Sequence, residues 1–267
     1  MQPYRYPDHQ VSGDADTTVF LLHGAYGSKA YFEYETATLV RAGYRVVAWD
    51  APGYALSPLP AQGLSIERLA DTAASLVERE GTARNVVLGH SMGGIVAPGV
   101  AVRLPERVHG LVVSATVGSF SQKSEEDRRT FLAERVEPLK RGRTFEETAG
   151  AVVNAMFAPG SSGPMVDLVK RVALSTSAST FCSAIEAIVA YEGLPTLRQV
   201  RVPTLLIAGA HDTVGRPEGM RAMREFVPQA ELVVIENAGH YAFAEQHEAF
   251  NRHLLAFLAR IGQTARA

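Results

Sequence analysis

Asn85-Val86-Val87-Leu88-Gly89-His90-Ser91-Met92-Gly93-Gly94-Ile95-Val96-Ala97 passes from a β-branched apolar run into a helical one through a Gly-x-Ser-x-Gly sequence. A strand that becomes a helix within so few residues must put the intervening serine on a tight, strained bend. Glycines two residues away on either side remove the side chains that would collide there. Ser91, with its hydroxyl exposed above the strand end, is therefore a candidate nucleophile. The plainer alternative is a helix N-cap, a position that serine favours. The partners available elsewhere in the chain decide between the two.

Working outward, short β-branched apolar runs alternate with longer stretches of helical periodicity. The pattern predicts strands over 17–22, 45–49, 85–88, 108–114, 203–208 and 232–235, and helices over 30–41, 66–80, 92–104, 217–226 and 245–259. Regular alternation of this kind predicts an α/β fold, a mostly parallel, doubly wound sheet covered by helices on both faces. It breaks over 119–199, where the pattern is helical throughout: 125–140, 144–156, 165–175 and 180–191. The expected organisation is a core built from 1–118 and 200–267 with a helical cap, 119–199, inserted between its strands. Ala158-Pro159-Gly160-Ser161-Ser162-Gly163-Pro164 supplies the turn residues between cap helices.

A serine hydroxyl is a poor nucleophile at neutral pH and needs a base within hydrogen-bond reach, itself held in one tautomer by a carboxylate. Two segments can supply these partners. Asp212 follows the predicted strand 203–208 in Gly209-Ala210-His211-Asp212, and His240 follows the strand 232–235 in Ala238-Gly239-His240-Tyr241. Both stand beyond the carboxyl ends of strands, where open α/β sheets place their working residues. Taken singly, each has a plainer reading, Asp212 as a cap for the helix near Pro217 and His240 as a satisfied buried histidine, but the constellation favours the catalytic one. Acyl chemistry also needs two backbone N–H groups aimed at the developing oxyanion, each worth about 3 kcal/mol. One is assigned to Met92, the residue after the nucleophile. The other is assigned to Ala25 in Leu22-His23-Gly24-Ala25-Tyr26-Gly27, with Tyr26 as the alternative donor.

The bulk numbers narrow the function classes. Hydrophobic residues make up 46% and charged residues 20% of the 267, enough apolar surface for a core and no compositional case for disorder. A net charge of −2 without a run of Lys or Arg argues against a nucleic-acid partner. Cys182 is the single cysteine, so neither a disulfide within the chain nor a thiolate cluster is available. His9, His109, His247 and His253 show no i, i+3 or i, i+4 pairing, so no metal is expected. No G-x-G-x-x-G or P-loop follows a strand, and the chemistry is expected to need no cofactor. Without a signal-like N-terminus or an apolar run long enough to span a bilayer, the expected location is the cytoplasm, with no membrane partner.

Together, His23-Gly24 after a strand, Asp50-Ala51-Pro52-Gly53-Tyr54-Ala55-Leu56-Ser57, Gly89 to Gly94, Pro203 to Asp212 and Gly239-His240 resemble the α/β-hydrolase superfamily, from Val19 to Leu258. The ending and the segment Phe181-Cys182-Ser183-Ala184-Ile185 are most similar to 3-oxoadipate enol-lactonases and related capped esterases. The resemblance implies a serine hydrolase acting on a small-molecule ester or lactone, with Ser91, Asp212 and His240 in the superfamily's chain order. It assigns Asp50 to a structural turn.

Two features depart from the superfamily pattern. Pro98 and Gly99 fall inside the helix after the nucleophile, where a kink or irregular turn is expected, and Ala51-Pro52 rather than an arginine precede Gly53. His90 stands where carbon–carbon bond hydrolases of this kind carry asparagine, and serine at 91 excludes the carboxylate chemistry of dehalogenases and epoxide hydrolases. A carbon–carbon hydrolase, a cofactor-free haloperoxidase-like enzyme and a ligand-binding receptor remain alternatives on the same residues. The sequence leaves oligomeric state open and does not assign pocket residues, Met92, Met156, Phe157, Phe181 and Tyr191 being equally suited to packing. A small site with a basic group would indicate an acidic lactone, and a large dry one a hydrophobic ester.

Overall fold

In the computed structural model, which describes residues 7–120 and 123–264, seven strands form one sheet. They are β1 (His9–Ser12), β2 (Thr17–Leu22), β3 (Arg45–Trp49), β4 (Arg84–His90), β5 (Gly110–Ser114), β6 (Thr204–Gly209) and β7 (Glu231–Ile235). Their spatial order is β1-β3-β2-β4-β5-β6-β7. Only β1 runs antiparallel to its neighbour, and the five remaining pairings are parallel. The mostly parallel, doubly wound α/β sheet expected from the alternation is the one found. The ends of the expected core, residues 1–6 and 265–267, lie outside the described residues, as do 121 and 122 of the expected insertion.

The inner strands are apolar along their length because parallel strands with helices on both sides are buried on both faces. Every residue of β5 and β6 is buried, as are Phe20, Leu21 and Leu22 of β2, and each buried Val, Leu, Ile or Phe among them contributes about 1.5–3 kcal/mol of transfer free energy. β1 was not expected. It is a four-residue edge strand, His-Gln-Val-Ser, none of it fully buried, so it carries little of the apolar signal that marks the others.

Helix α2 (Ile66–Glu80) follows its sequence signals closely. Ser65 caps it by accepting from the Arg68 amide, and Ile66, Leu69, Ala70, Ala73, Leu76 and Val77 form one buried face against α3 (Met92–Arg103). An oxygen cap of this kind is worth about 1 kcal/mol. The irregular turn expected at Pro98 is absent, since α3 is helical throughout with Pro98 and Gly99 buried inside it. Proline costs the helix the bond from its own nitrogen to the Gly94 carbonyl, and the enclosing β4, β5 and α2 hold the helix together across that gap.

Between β5 and β6 the described residues form helices and no strand: α4 (Glu125–Arg135), α5 (Glu137–Lys140), α6 (Phe145–Asn154), α7 (Pro164–Leu174), α8 (Ala178–Ala190) and α9 (Leu194–Leu197). The stretch 125–140, expected as one helix, divides at Val136 because Pro138 fits only the first turn of a new helix. After β6 come α10 (Pro217–Ala222), α11 (Ala242–Glu245) and α12 (His247–Thr264), with α12 packed on α1 (Glu33–Arg41). No single helix among the described residues is long and apolar enough to cross a membrane.

Candidate active site

The strand order reverses direction between β2 and β4, and the crevice at their carboxyl ends is where sheets of this type bind ligands. Ser91 stands there, one residue beyond β4, with φ 54° and ψ −115°. For a residue with a side chain this conformation costs about 1–3 kcal/mol and persists only where its surroundings impose it. Here they do. The Ser91 amide donates to the Ser114 carbonyl at 2.9 Å, and its carbonyl accepts from Thr116 Oγ1 at 2.8 Å. A Cβ at Gly89 would lie 2.1 Å from the Gly93 carbonyl oxygen, and one at Gly93 would lie 2.1 Å from the Leu22 carbonyl oxygen. The glycines of the motif let three backbone segments meet.

Leu22 pairs with Gly89 in register, so the loop after β2 arrives beside the serine. His23 fixes that loop in a single tautomer: Nδ1 donates to the Gly24 carbonyl at 2.8 Å, and Nε2 accepts from the Ala51 amide at 3.0 Å. Burial pushes the pKa of His23 down to about 4, which keeps it neutral in this role. Tyr54 Oη donates to the Ala25 carbonyl at 3.0 Å. Ala25 and Met92 both line the cavity beside Ser91, and Met92, as the first residue of α3, has an amide without an intrahelical acceptor.

Asp212 and His240 come together from the loops after β6 and β7. His240 Nδ1 lies 2.9 Å from Asp212 Oδ2, with both side chains almost wholly buried. The other carboxylate oxygen accepts from the amides of Val214 at 2.7 Å and Gly215 at 2.9 Å. Burial opposes ionisation of Asp212, yet the facing imidazole and these amides outweigh it and hold the carboxyl below its usual range. With the carboxylate an acceptor only, Nδ1 carries the proton and Nε2 is left as the acceptor. The ring lines the same cavity as Ser91, with no direct hydrogen bond between the two side chains.

Other candidates fall elsewhere. Asp50 is fully buried, takes the Lys29 amide at 2.7 Å and pairs with the Lys29 ammonium, a structural turn as the resemblance implied. His211 is exposed. His90 is buried among Tyr31, Tyr241, Phe243 and His240, and burial drives its pKa well below the ordinary histidine value.

Two residues escape a reading of the sequence. Glu245 binds the loop of His240 and the turn after α6 at once. Its Oε1 accepts from the Gly239 and Tyr241 amides, each at 3.0 Å, and its Oε2 from the Ala158 amide at 2.7 Å and Ser161 Oγ at 2.6 Å. The His240 amide also donates to the Met156 carbonyl at 2.7 Å, so the helical segment between β5 and β6 takes part in holding the imidazole. The second is Arg135, at the end of α4, whose side chain lines the cavity. That cavity leaves ≈ 50 Å³ for the centre of a water-sized sphere, within ≈ 590 Å³ of space between atoms that is partly open to solvent.

Comparison with known proteins gives a consistent family. The alpha/beta hydrolase fold family matches residues 17–246. A 3-oxoadipate enol-lactonase from Acinetobacter baylyi is 24% identical, covering 95% of this chain and 93% of its own. A pimeloyl-(acyl-carrier protein) methyl ester esterase from Neisseria meningitidis is 26% identical, covering 92% and 95%. Among solved structures, a thermophilic esterase from Thermogutta terrifontis superimposes with a TM-score of 0.83 at 24% identity, covering 95% and 93%.

Proposed function

The chain belongs to the alpha/beta hydrolase fold family, and from that premise we propose that it is a serine hydrolase cleaving a carboxylic ester or lactone through an acyl-enzyme. In this reading Ser91 is the nucleophile, His240 the general base and Asp212 the group that orients it. The observation that carries the reading is the 2.9 Å contact between His240 Nδ1 and Asp212 Oδ2 beside a cavity that the strained Ser91 also lines.

The proton of Ser91 passes to His240 Nε2 as Oγ attacks the substrate carbonyl, and the amides of Ala25 and Met92 receive the oxyanion. The imidazolium then protonates the leaving alkoxide. Water, deprotonated by the same ring, attacks the acyl-enzyme and releases the acid. Asp212 stabilises the imidazolium at both stages without taking its proton. The helices between β5 and β6 act as a cap over residues 119–199, contributing Phe131, Arg135, Met156, Ile185 and Ile188 to the cavity wall. The lactonase and the methyl ester esterase among the relatives support the bond class.

The test is turnover of a panel of short-chain methyl esters and lactones by the wild type, Ser91→Ala and His240→Ala. Loss of about 10³-fold or more in kcat in each variant is expected. Retained turnover in Ser91→Ala ends the proposal, and activity confined to vinylogous diketones or to peroxide-dependent bromination would move it to the other chemistries open to the same residues.

A further inference from the structure

We propose that Arg135 is a recognition site for a carboxylate carried by the substrate, so that the ester or lactone preferred by this protein is an anionic one. The inference rests on the hydrolase reading above and adds the substrate class to it.

Among the described residues, Arg135 is the only permanently charged side chain in the cavity wall shared by Ser91 and His240, and no carboxylate lines that wall. The rest is apolar or aromatic apart from Ser91, Thr116, the two histidines and the tyrosines. The guanidinium is held in place by stacking: its Cζ lies 3.8 Å from the centroid of Phe131, one turn earlier on α4, and Phe131 packs on Phe120 at 4.7 Å. Arg135 is 18% exposed. Its single protein acceptor among the described residues is Glu134 Oε2, 3.3 Å from Nη1, and the Glu134 side chain is 65% exposed. A solvent-screened pair of that kind contributes little.

Four of the five N–H donors of Arg135 are therefore without a protein acceptor among the described residues, on a cation whose face is covered by a ring and whose residue lines a mostly apolar cavity. Donors in a planar fork match a carboxylate in two parallel hydrogen bonds, and an anion arriving there compensates the desolvation of the guanidinium. A neutral ester offers no such partner, and a cationic one is repelled. Because Arg135, Ser91 and His240 line one cavity, the substrate that fits is one whose carboxylate and scissile carbonyl belong to the same molecule.

The experiment compares kcat/KM for the monomethyl esters of succinate, glutarate and adipate with those for methyl alkanoates of the same chain length, in the wild type, Arg135→Gln and Arg135→Lys. At least one hemiester is expected to exceed its neutral counterpart by about 10-fold or more in the wild type. Arg135→Gln should bring that ratio close to one, and Arg135→Lys should recover part of it. Binding of succinate, glutarate and adipate themselves, followed by calorimetry, is expected to weaken about 10-fold or more in Arg135→Gln. Equal ratios in wild type and Arg135→Gln, or equal dicarboxylate binding, overturn the assignment. Hydrolysis of both ester series without preference leaves the hydrolase reading standing and removes this one. Arginine-dependent dicarboxylate binding without turnover of any ester leaves this site standing and removes the hydrolase.

Discussion

The Glu245 carboxylate brackets His240: one of its oxygens accepts from the amides of the residues immediately before and after the imidazole, Gly239 and Tyr241, each at 3.0 Å. Its other oxygen ties the same loop to Ala158 and Ser161 in the turn after α6. One side chain thus fixes the path of the backbone that carries the proposed base. Replacing it with an amide leaves one oxygen to serve four donors. Glu245→Gln is expected to lose about 1–3 kcal/mol of stability and to lower kcat on a cleaved ester by about 10-fold. Thermal unfolding and steady-state kinetics check the two effects, and an unchanged kcat would show that the loop is held without the carboxylate.

His23 and His90 are fully buried, and burial lowers both pKa values, His23 from 6.5 to about 4 and His90 well below its ordinary range. Below pH 6.5 the unfolded chain binds protons that the folded chain refuses at these two positions, so their contribution to stability is present above that pH and is lost as pH falls. For His23 alone the loss reaches roughly 3 kcal/mol by pH 4. The melting temperature is expected to fall from pH 6.5 to 4, and His90→Phe, which removes one of the two groups while keeping an aromatic ring among Tyr31, Tyr241 and Phe243, to fall less steeply. Parallel curves for wild type and variant would contradict the assignment to His90.

Gly93 and Gly150 both sit in helices and predict opposite outcomes on substitution by alanine. At Gly93 the added carbon would lie 2.1 Å from the Leu22 carbonyl oxygen, a backbone atom that cannot yield without shifting β2, whereas at Gly150, inside α6, nothing lies within 4 Å. Gly93→Ala is expected to cost about 3 kcal/mol or more, and Gly150→Ala to add up to about 1 kcal/mol from helix propensity. Urea unfolding of the two variants reads both changes.

The sheet and the loops at its carboxyl ends were legible in the sequence because buried parallel strands are apolar throughout. The predicted strands 17–22 and 45–49 and the helix 66–80 match the observed elements residue for residue. The edge strand β1 lacks that signal, and the helix expected to begin at Glu245 begins instead at His247, because Glu245 closes the short helix α11 and Gln246 leaves the helical conformation with φ −133° and ψ 55°. Glu245 and Arg135 were not legible for a shared reason. One acts on the Ser161 hydroxyl and the Ala158 amide, 84 and 87 residues away in sequence, the other on a cavity, and neither relation leaves a pattern of spacing. Ser91, Asp212 and His240 were legible as candidates because each stands within a few residues of the end of a strand, β4, β6 and β7 in turn.

The most direct measurement is labelling with a serine-directed fluorophosphonate followed by intact mass and peptide mapping. The wild type is expected to gain one adduct, located on Ser91, with the rate of labelling greatly reduced in His240→Ala and no adduct in Ser91→Ala. An adduct on a different residue, or Ser91→Ala labelling as fast as the wild type, would contradict the assignment of Ser91 as the nucleophile.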